Sequence, residues 1–281
     1  MISLNYNNPK QCKECKQTFF ARKDRQNQLF CKISCKRIFE YKARLRSCAH
    51  CNKNFLLKNT AYEKRGGGKY CSIDCAKYAT KKYSNDEQFF DKIDSEEKAY
   101  WLGFIVADGF NSNDELIIQL SEKDVSHLQK FKKTINANNP ISYVKRKTNT
   151  CVLRIGSRYL CKQLTKLGCI KKKSLCVYIP NIDNNLIRHF IRGYFDGDGC
   201  CYNNGKYRVW SIHSGSTQLI QQIKNEIESS LNIKSLRLYS KNTNNNSLYT
   251  GKKEVIDNIK HYLYDDATIY LERKYNKFSH N

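Results

Sequence analysis

The chain has 281 residues, of which fifty are Lys or Arg and twenty-six are Asp or Glu, so its net charge at pH 7 is +24. Hydrophobic residues make up 40% of the chain, which is typical of a folded protein of about two domains and excludes a disordered chain. The charge predicts a polyanionic partner, most often nucleic acid, and the apolar runs are too short to span a bilayer, so we expect no membrane partner.

The cysteines and the polar first ten residues bear on the compartment. A signal peptide would need an apolar core, which this start lacks, so we expect a protein that is not secreted. Fourteen cysteines in such a chain favour a reducing compartment and metal binding over disulfides. The abundance of Lys, Asn, Ile and Tyr is typical of an AT-rich genome, and it favours a phage-infected bacterial cytoplasm or an organelle.

Residues 12–75 contain a tandem cysteine repeat. In each unit a Cys-x2-Cys pair is followed, fifteen or nineteen residues later, by a Cys-x3-Cys pair that enters a short helix. This spacing predicts two four-cysteine zinc modules with treble-clef-like folds, in residues 1–44 and 45–83, that depend on Zn²⁺ because they are too small for a core of their own. The predicted ligands are Cys12, Cys15, Cys31 and Cys35 in the first, and Cys48, Cys51, Cys71 and Cys75 in the second. Either DNA or another protein could be their partner, and the basic balance of residues 1–83 favours DNA.

Between residues 84 and 98 the composition turns acidic, which marks a domain boundary. We interpret residues 84–93 as a linker. Asp94, with Glu97 three residues later, predicts the N-cap of the next helix.

Two segments, residues 100–109 and 190–199, then carry the same pattern. Each is an apolar helix that ends in an acidic residue followed by Gly, and each has small residues four positions apart. Two helices packed along these small residues would bring Asp108 and Asp198 side by side. Because adjacent carboxylates repel one another unless a cation lies between them, the sequence predicts a site for a hard ion such as Mg²⁺.

After each of these segments the hydrophobic periodicity predicts the same series of strands and helices. The expected fold is therefore α+β, with two pseudo-symmetric αββαββα repeats in residues 94–180 and 181–281.

The two segments resemble the paired motifs of LAGLIDADG homing endonucleases in their single-chain form. The nine motif letters fall on Trp101 to Gly109 and on Ile191 to Gly199, and the first copy departs at the sixth letter, where Val106 replaces an acid. The resemblance implies a site-specific, Mg²⁺-dependent endonuclease from a mobile genetic element that cleaves a long, asymmetric double-stranded DNA target as a monomer.

The resemblance also implies roles for particular residues. Asp108 and Asp198 would each act on one DNA strand, and the backbone carbonyls of Ala107 and Gly197 would complete the Mg²⁺ ligands. The basic clusters at residues 169–174 and 271–275 resemble the segments that place a lysine near the active centre. By this match the catalytic lysines are Lys173 and Lys274, with Lys172 and Arg273 as alternatives.

In this family a curved sheet from each repeat lies over the DNA, and basic residues on the predicted strands fit that orientation. A two-stranded ribbon fits the major groove, where Arg and Lys read bases or hold phosphates. The alternative is that these residues form the solvent face of antiparallel sheets. The predicted DNA-binding residues are Lys145, Arg146, Lys147, Arg154, Arg208, Arg237, Tyr239 and Lys241, with Leu236 and Leu238 buried on the opposite face of their strand.

Two further expectations concern function and the remaining cysteines. A protein on this scaffold that binds nucleic acid without cutting it, such as an RNA maturase or a DNA-binding regulator, is the alternative function. Retention of both acids favours the enzyme. The six cysteines outside the modules lack paired spacing, and we expect small buried thiols.

Overall fold

The computed structural model describes residues 6–58, 63, 67–80, 82–145, 149–170, 177–203, 207–242 and 245–278. The chain divides into two compact units, Met1–Lys82 and Tyr83–Asn281. Within the described ranges, none of the helices combines the length and the apolar character that a membrane span requires.

The N-terminal unit contains two small hairpin-and-helix modules. In the first, strands β1 (Tyr6–Gln11) and β2 (Thr18–Arg22) pair antiparallel and are followed by helix α1 (Ile33–Arg44). In the second, β3 (Leu45–Ser47) and β4 (Asn54–Leu56) pair antiparallel and precede α2 (Ile73–Ala79). The second module begins where α1 ends, and the two are joined by a hydrogen bond from the Leu57 amide to the Arg44 carbonyl, 2.9 Å.

The larger unit repeats one order of elements. The first copy contains α3 (Glu96–Asp108), β5 (Gly109–Asn111), β6 (Glu115–Ser121), α4 (Val125–Thr134), β7 (Ile141–Val144), β8 (Thr150–Gly156) and α5 (Arg158–Lys166). The second contains α6 (Asn184–Asp198), β9 (Gly199–Asn203), β10 (Arg208–Ser214), α7 (Thr217–Ser230), β11 (Arg237–Asn242), β12 (Asn245–Thr250) and α8 (Lys253–Tyr264), followed by the short α9 (Glu272–Tyr275). The sheets have equivalent orders, β5-β6-β8-β7 and β9-β10-β12-β11. The predicted pair of αββαββα repeats is confirmed.

Helices α3 and α6 pack directly on one another and form the centre of this unit. A Cβ atom on Gly103 would lie 2.0 Å from the Phe190 carbonyl oxygen, and a Cβ on Gly193 would lie 2.0 Å from that of Tyr100. The missing side chains therefore allow backbone-to-backbone contact, as the small residues four apart predicted. On either side of the pair the core is filled by fully buried aromatic residues, including Trp101 and Trp210.

A buried cation also links the two helices. The Arg192 guanidinium has no exposed surface, and it donates to Glu96 at 2.6 Å and to the carbonyls of Leu263 and Ile269 at 2.9 and 3.0 Å. Breaking such a pair typically costs about 3–5 kcal/mol, because the remaining charge stays buried without its partner.

Local details of the prediction differ from the structure at three places. The N-cap of α3 is Ser95, whose hydroxyl accepts from the Lys98 amide, while the predicted cap Asp94 forms an ion pair with the Lys98 ammonium, 2.9 Å. Residues 84–93, interpreted as a linker, contact the first repeat through Ser84, whose amide donates to the Asn138 side-chain oxygen at 2.7 Å and whose carbonyl accepts from the Asn138 amide at 3.1 Å. Leu238 is 44% exposed, because β11 is an edge strand.

Candidate functional site

The eight predicted zinc ligands form two clusters of sulfur atoms. In each cluster the four Sγ atoms lie within 4.8 Å of one another, and none of the eight cysteines forms a disulfide. Four thiolates around Zn²⁺ at about 2.3 Å place their sulfurs roughly 3.8 Å apart, so both clusters fit a tetrahedral zinc ion. The members are Cys12, Cys15, Cys31 and Cys35, and Cys48, Cys51, Cys71 and Cys75, as the spacing predicted.

Matching turns build the first half of each cluster. The Cys12 amide donates to the backbone carbonyl of Gln17, and the Cys48 amide donates to that of Lys53, both at 2.9 Å. Each Cys-x2-Cys pair therefore lies in the turn of a hairpin. The residue after each pair, Lys16 or Asn52, has a positive φ of 60° or 58°. This left-handed residue turns the chain back into the second strand, so the two modules share the same local turn.

One sulfur in each cluster is prepared for metal binding by its surroundings. Burial raises the pKa of Cys12, but backbone N–H groups, first that of Cys31, outweigh burial and lower the pKa to about 6. Cys48 has a similar balance of causes and a pKa of about 6. A thiol with such a pKa is largely a thiolate at neutral pH, which is the form that binds zinc.

The second candidate site lies where α3 and α6 end. Burial is the same in both copies: Ala107 and Gly197 are half-buried, and Asp108 and Asp198 are exposed. Gly109 and Gly199 then open strands β5 and β9 with extended backbones. Glycine is needed here for space, since a Cβ on Gly199 would lie 2.1 Å from the Phe195 ring.

The two carboxylates belong to one local site. A Cβ on Gly197, next to Asp198, would lie 2.4 Å from the Ala107 Cβ and 3.4 Å from Oδ2 of Asp108. Burial, and then the negative charges of Asp198 and Asp108, raise the pKa of Tyr194, so both acids act on the same hydroxyl group. The packing of the two helices therefore brings Asp108 and Asp198 to one end of the pair.

Lys274 is the predicted lysine that the structure places at this site. Its ammonium group donates to the carbonyls of Gly197, 3.3 Å, and Gly199, and it lies 6.0 Å from the Phe195 ring centre. Burial, followed by the charge of Arg273, lowers the pKa of Lys274. Arg273, the alternative candidate, instead binds Asp124 with two nitrogen atoms, at 3.0 and 2.8 Å. Lys172 and Lys173 lie outside the described residues.

The predicted DNA-contacting residues have different positions. Arg237 and Tyr239 are exposed on β11, and Lys145 is exposed just after β7. Arg154 is exposed on β8 and pairs with Glu115, 3.0 Å. The side chain of Arg208 is only 7% exposed, because it is turned inward to Asp257, 2.8 Å, and to the Phe278 carbonyl. Arg146, Lys147 and the Lys241 side chain lie outside the described part of the chain.

The cysteines outside the modules mostly follow the expectation of buried thiols. Cys151, Cys161, Cys169 and Cys201 are buried, whereas Cys200 is exposed, so the expectation is wrong for that residue. Cys176 is not among the described residues.

Comparison with known proteins agrees with this geometry. The family model described as "LAGLIDADG-like domain" matches residues 185–271, from the start of α6 to the residue before α9. Residues 185–271 are thus similar to a LAGLIDADG-like domain. The resemblance predicted from the two motifs is thereby confirmed.

One curated relative and several solved structures are also similar. The replication factor C small subunit of Thermococcus kodakarensis is 29% identical over 103 residues, which are 36% of this chain, and the chain spans only 12% of that relative's length. The LAGLIDADG meganuclease I-AabMI bound to uncleaved DNA is 14% identical, with a TM-score of 0.44 over 63% of this chain and 86% of that one. Full-length WhiA from Thermatoga maritima is 17% identical, with a TM-score of 0.45 over 69% and 62%.

Within the matched residues 185–271, the sixth motif letter, Asp196, has a structural position. It is buried and accepts hydrogen bonds from the hydroxyls of Tyr100 and Tyr264 and from the Leu271 amide, each at 2.7 Å. Burial raises the pKa of Asp196 to about 6, against the lowering effect of these donors. Leu271, whose amide donates to Asp196, lies three residues before Lys274. Asp196 therefore holds in place the segment that carries this lysine.

The first repeat fixes the corresponding segment differently. Val106 replaces the acid and offers no acceptor, and the buried amide of Asn111 instead donates to the carbonyls of Cys161 and Cys169, 2.9 and 2.8 Å.

Sequence reasoning missed Asn111, Tyr194 and Arg192. The sequence could have indicated Arg192, because a cation inside an apolar helix is buried and a buried charge requires partners.

Proposed function

We propose that the chain is a site-specific, metal-dependent double-strand DNA endonuclease. The observation that carries the proposal is the presence of two carboxylates, Asp108 and Asp198, at equivalent exposed ends of two helices in direct contact. One carboxylate per repeat gives one hydrolytic centre per DNA strand, and both centres belong to a single chain. A monomer therefore suffices, and its target need not be symmetric.

The donors at the helix ends fit Mg²⁺. Besides the two carboxylates, the last carbonyls of a helix have no partner within the helix, which leaves the oxygens of Ala107 and Gly197 as further ligands. Hard oxygen donors of this kind suit Mg²⁺, whereas the described residues here offer no thiolate cluster like those of the zinc modules. The chemistry such an ion supplies is acidification of a water molecule and stabilisation of charge at the leaving phosphate oxygen.

Lys274 contributes positive charge at the second centre. Its contact with the Gly197 carbonyl keeps the ammonium beside the acids, and a carbonyl oxygen has a second lone pair for another partner. From there the lysine would hold a phosphate oxygen as negative charge develops on it. In the N-terminal unit we propose one Zn²⁺ in each sulfur cluster, with a structural role, since all four positions around each ion are occupied by cysteine.

The experiment is cleavage of a source-genome or randomised DNA library with Mg²⁺, with every new end mapped by sequencing. Wild-type protein should produce paired ends at one long site. Asp108→Asn and Asp198→Asn should each nick that site, on opposite strands, and the double variant should cut neither strand.

Asp265→Asn is the matched control, because this carboxylate is exposed but remote in sequence from the motifs, and it should cleave like the wild type. Tight, site-selective retention of intact DNA by the wild type would contradict the proposal. It would assign the chain to the class of proteins that bind nucleic acid without cutting it.

A further inference from the structure

The two zinc modules expose an isoleucine at the same position. Ile33 lies midway between the ligands Cys31 and Cys35, and Ile73 lies midway between Cys71 and Cys75. Each is the first residue of its helix, and the two side chains are 70% and 75% exposed. A zinc cluster needs only the cysteines of this loop, so the metal does not explain an isoleucine at both places.

The modules do have buried apolar positions, and these also match. Ala21 and Leu57, each six residues after the second cysteine of its Cys-x2-Cys pair, are almost completely buried. The small cores are thus built from one set of equivalent residues, while Ile33 and Ile73 lie outside them. Single exposed apolar residues are common on protein surfaces, so it is the repetition of an exposed isoleucine at the equivalent position of both modules that indicates a surface covered in a complex.

A cation accompanies each isoleucine. Arg37 follows Ile33 by four residues and Lys77 follows Ile73 by four, and both cations are exposed. Residues four apart lie on the same face of a helix, so each helix start presents an apolar group with a positive charge one turn further on.

The charge of the unit identifies the partner. Residues 1–82 carry twenty basic and five acidic side chains, whereas the rest of the chain carries thirty and twenty-one. The excess positive charge is therefore concentrated in the smaller unit, which favours a polyanion over a protein surface. Duplex DNA offers a partner for both the isoleucine and the cation. Its major groove admits a helix, displays the apolar methyl groups of thymine, and is bordered by phosphates.

We propose that the modules bind the major groove of duplex DNA, with Ile33 and Ile73 on thymine methyl groups and with Arg37 and Lys77 on the phosphates beside them. This inference rests on DNA as the partner of the proposed function, but it does not depend on cleavage. In this proposal the N-terminal unit recognises A·T-rich sequence, and the carboxylates at the ends of helices α3 and α6 carry out cleavage.

The test compares two duplexes of the same sequence, one with thymine and one with uracil opposite every adenine, bound by the full chain without added Mg²⁺. Burying one methyl group is worth about fourfold in affinity, so wild-type protein should prefer thymine by roughly fifteenfold for two modules. Ile33→Ala/Ile73→Ala should lose this preference while its zinc content stays the same. Arg37→Gln/Lys77→Gln should weaken binding to both duplexes equally and reduce the salt slope by about two.

The control is Tyr143→Ala/Leu238→Ala, which removes two exposed apolar side chains from edge strands of the larger unit, and it should keep the preference for thymine. The proposal is overturned if the isoleucine variant still discriminates against uracil, or if it weakens binding to both duplexes equally. A wild-type chain that binds with thymine preference but never cleaves would contradict only the endonuclease proposal. A chain without affinity for DNA would contradict both.

Discussion

Gly103 and Gly193 have reciprocal positions in the helix pair. Each would place a Cβ atom 2.0 Å from a backbone carbonyl oxygen of the other helix, that of Phe190 or that of Tyr100. The two helix backbones therefore come closest at two points, and the pseudo-twofold symmetry of the repeats relates these points to each other. The separation of the carboxylates that follow on each helix depends on this approach.

Gly103→Ala should therefore be strongly destabilising. The methyl group meets backbone rather than a flexible side chain, so the helices must separate, and we expect a loss of at least about 2–3 kcal/mol in the free energy of unfolding. Urea denaturation measures it. Gly156→Ala is the control, because no atom lies within 4 Å of its added methyl group, and it should be neutral or slightly stabilising. Equal stability of the two variants would contradict the close packing.

Zinc should be required by the N-terminal unit alone. We expect two zinc ions per chain by atomic spectroscopy, and about one in Cys12→Ser, because three thiolates bind much more weakly than four. Removal of zinc should make residues 1–82 sensitive to protease while residues 83–281 remain resistant. Cys200→Ser, which removes an exposed thiol outside both clusters, should retain two ions. Retention of both ions by the Cys12 variant would refute the ligand assignment.

Lys274→Gln should reduce the rate of DNA cleavage with little change in DNA affinity. The lost ammonium group is one preorganised positive charge near the reacting phosphate, and removing such a group typically costs on the order of a hundredfold in rate. Single-turnover cleavage and equilibrium binding, measured in parallel, separate the two effects. Lys277→Gln, an exposed lysine of the same segment, should cleave at the wild-type rate. If both variants cut equally slowly, the segment acts only through its overall charge.

Asp196 should make the protein less stable as the pH rises from about 4 to about 6. Burial raises its pKa to about 6, from 3.8, so within this window the folded state holds a proton that the unfolded state has released. The contribution of Asp196 to the free energy of unfolding then falls with rising pH, by about 3 kcal/mol over the window, so the stabilisation present below pH 4 is lost above pH 6.

Asp196→Asn cannot release this proton, so the difference in stability between it and the wild type should change by that amount between the two ends of the window. The comparison cancels the contributions of His127 and His189, whose pKa values are lowered by burial to about 3 and about 4. Both histidines therefore reduce the free energy of unfolding as the pH falls. Denaturant titrations at several pH values measure the difference. Parallel pH profiles for the two proteins would show that Asp196 does not titrate in this range.

The sequence by itself determined those features that depend on residues close together in the chain. Cysteine spacing identified all eight members of the sulfur clusters, because each Cys-x2-Cys and Cys-x3-Cys pair is positioned by its own turn or helix. The repeated small residues and terminal acids identified both motif helices, because a helical period of 3.6 residues places such positions on one face.

Only the tertiary structure decided which charged residues are available to a partner. Arg208 and Arg237 both lie on strands of one sheet, yet Arg208 is turned inward to Asp257, forty-nine residues away, and Arg237 is exposed. Asp196 receives its hydrogen bonds from residues between 68 and 96 positions away, and Lys274 contacts a carbonyl 77 positions away. Local periodicity carries no information about such contacts, because they depend on how the two repeats and the C-terminal segment pack together.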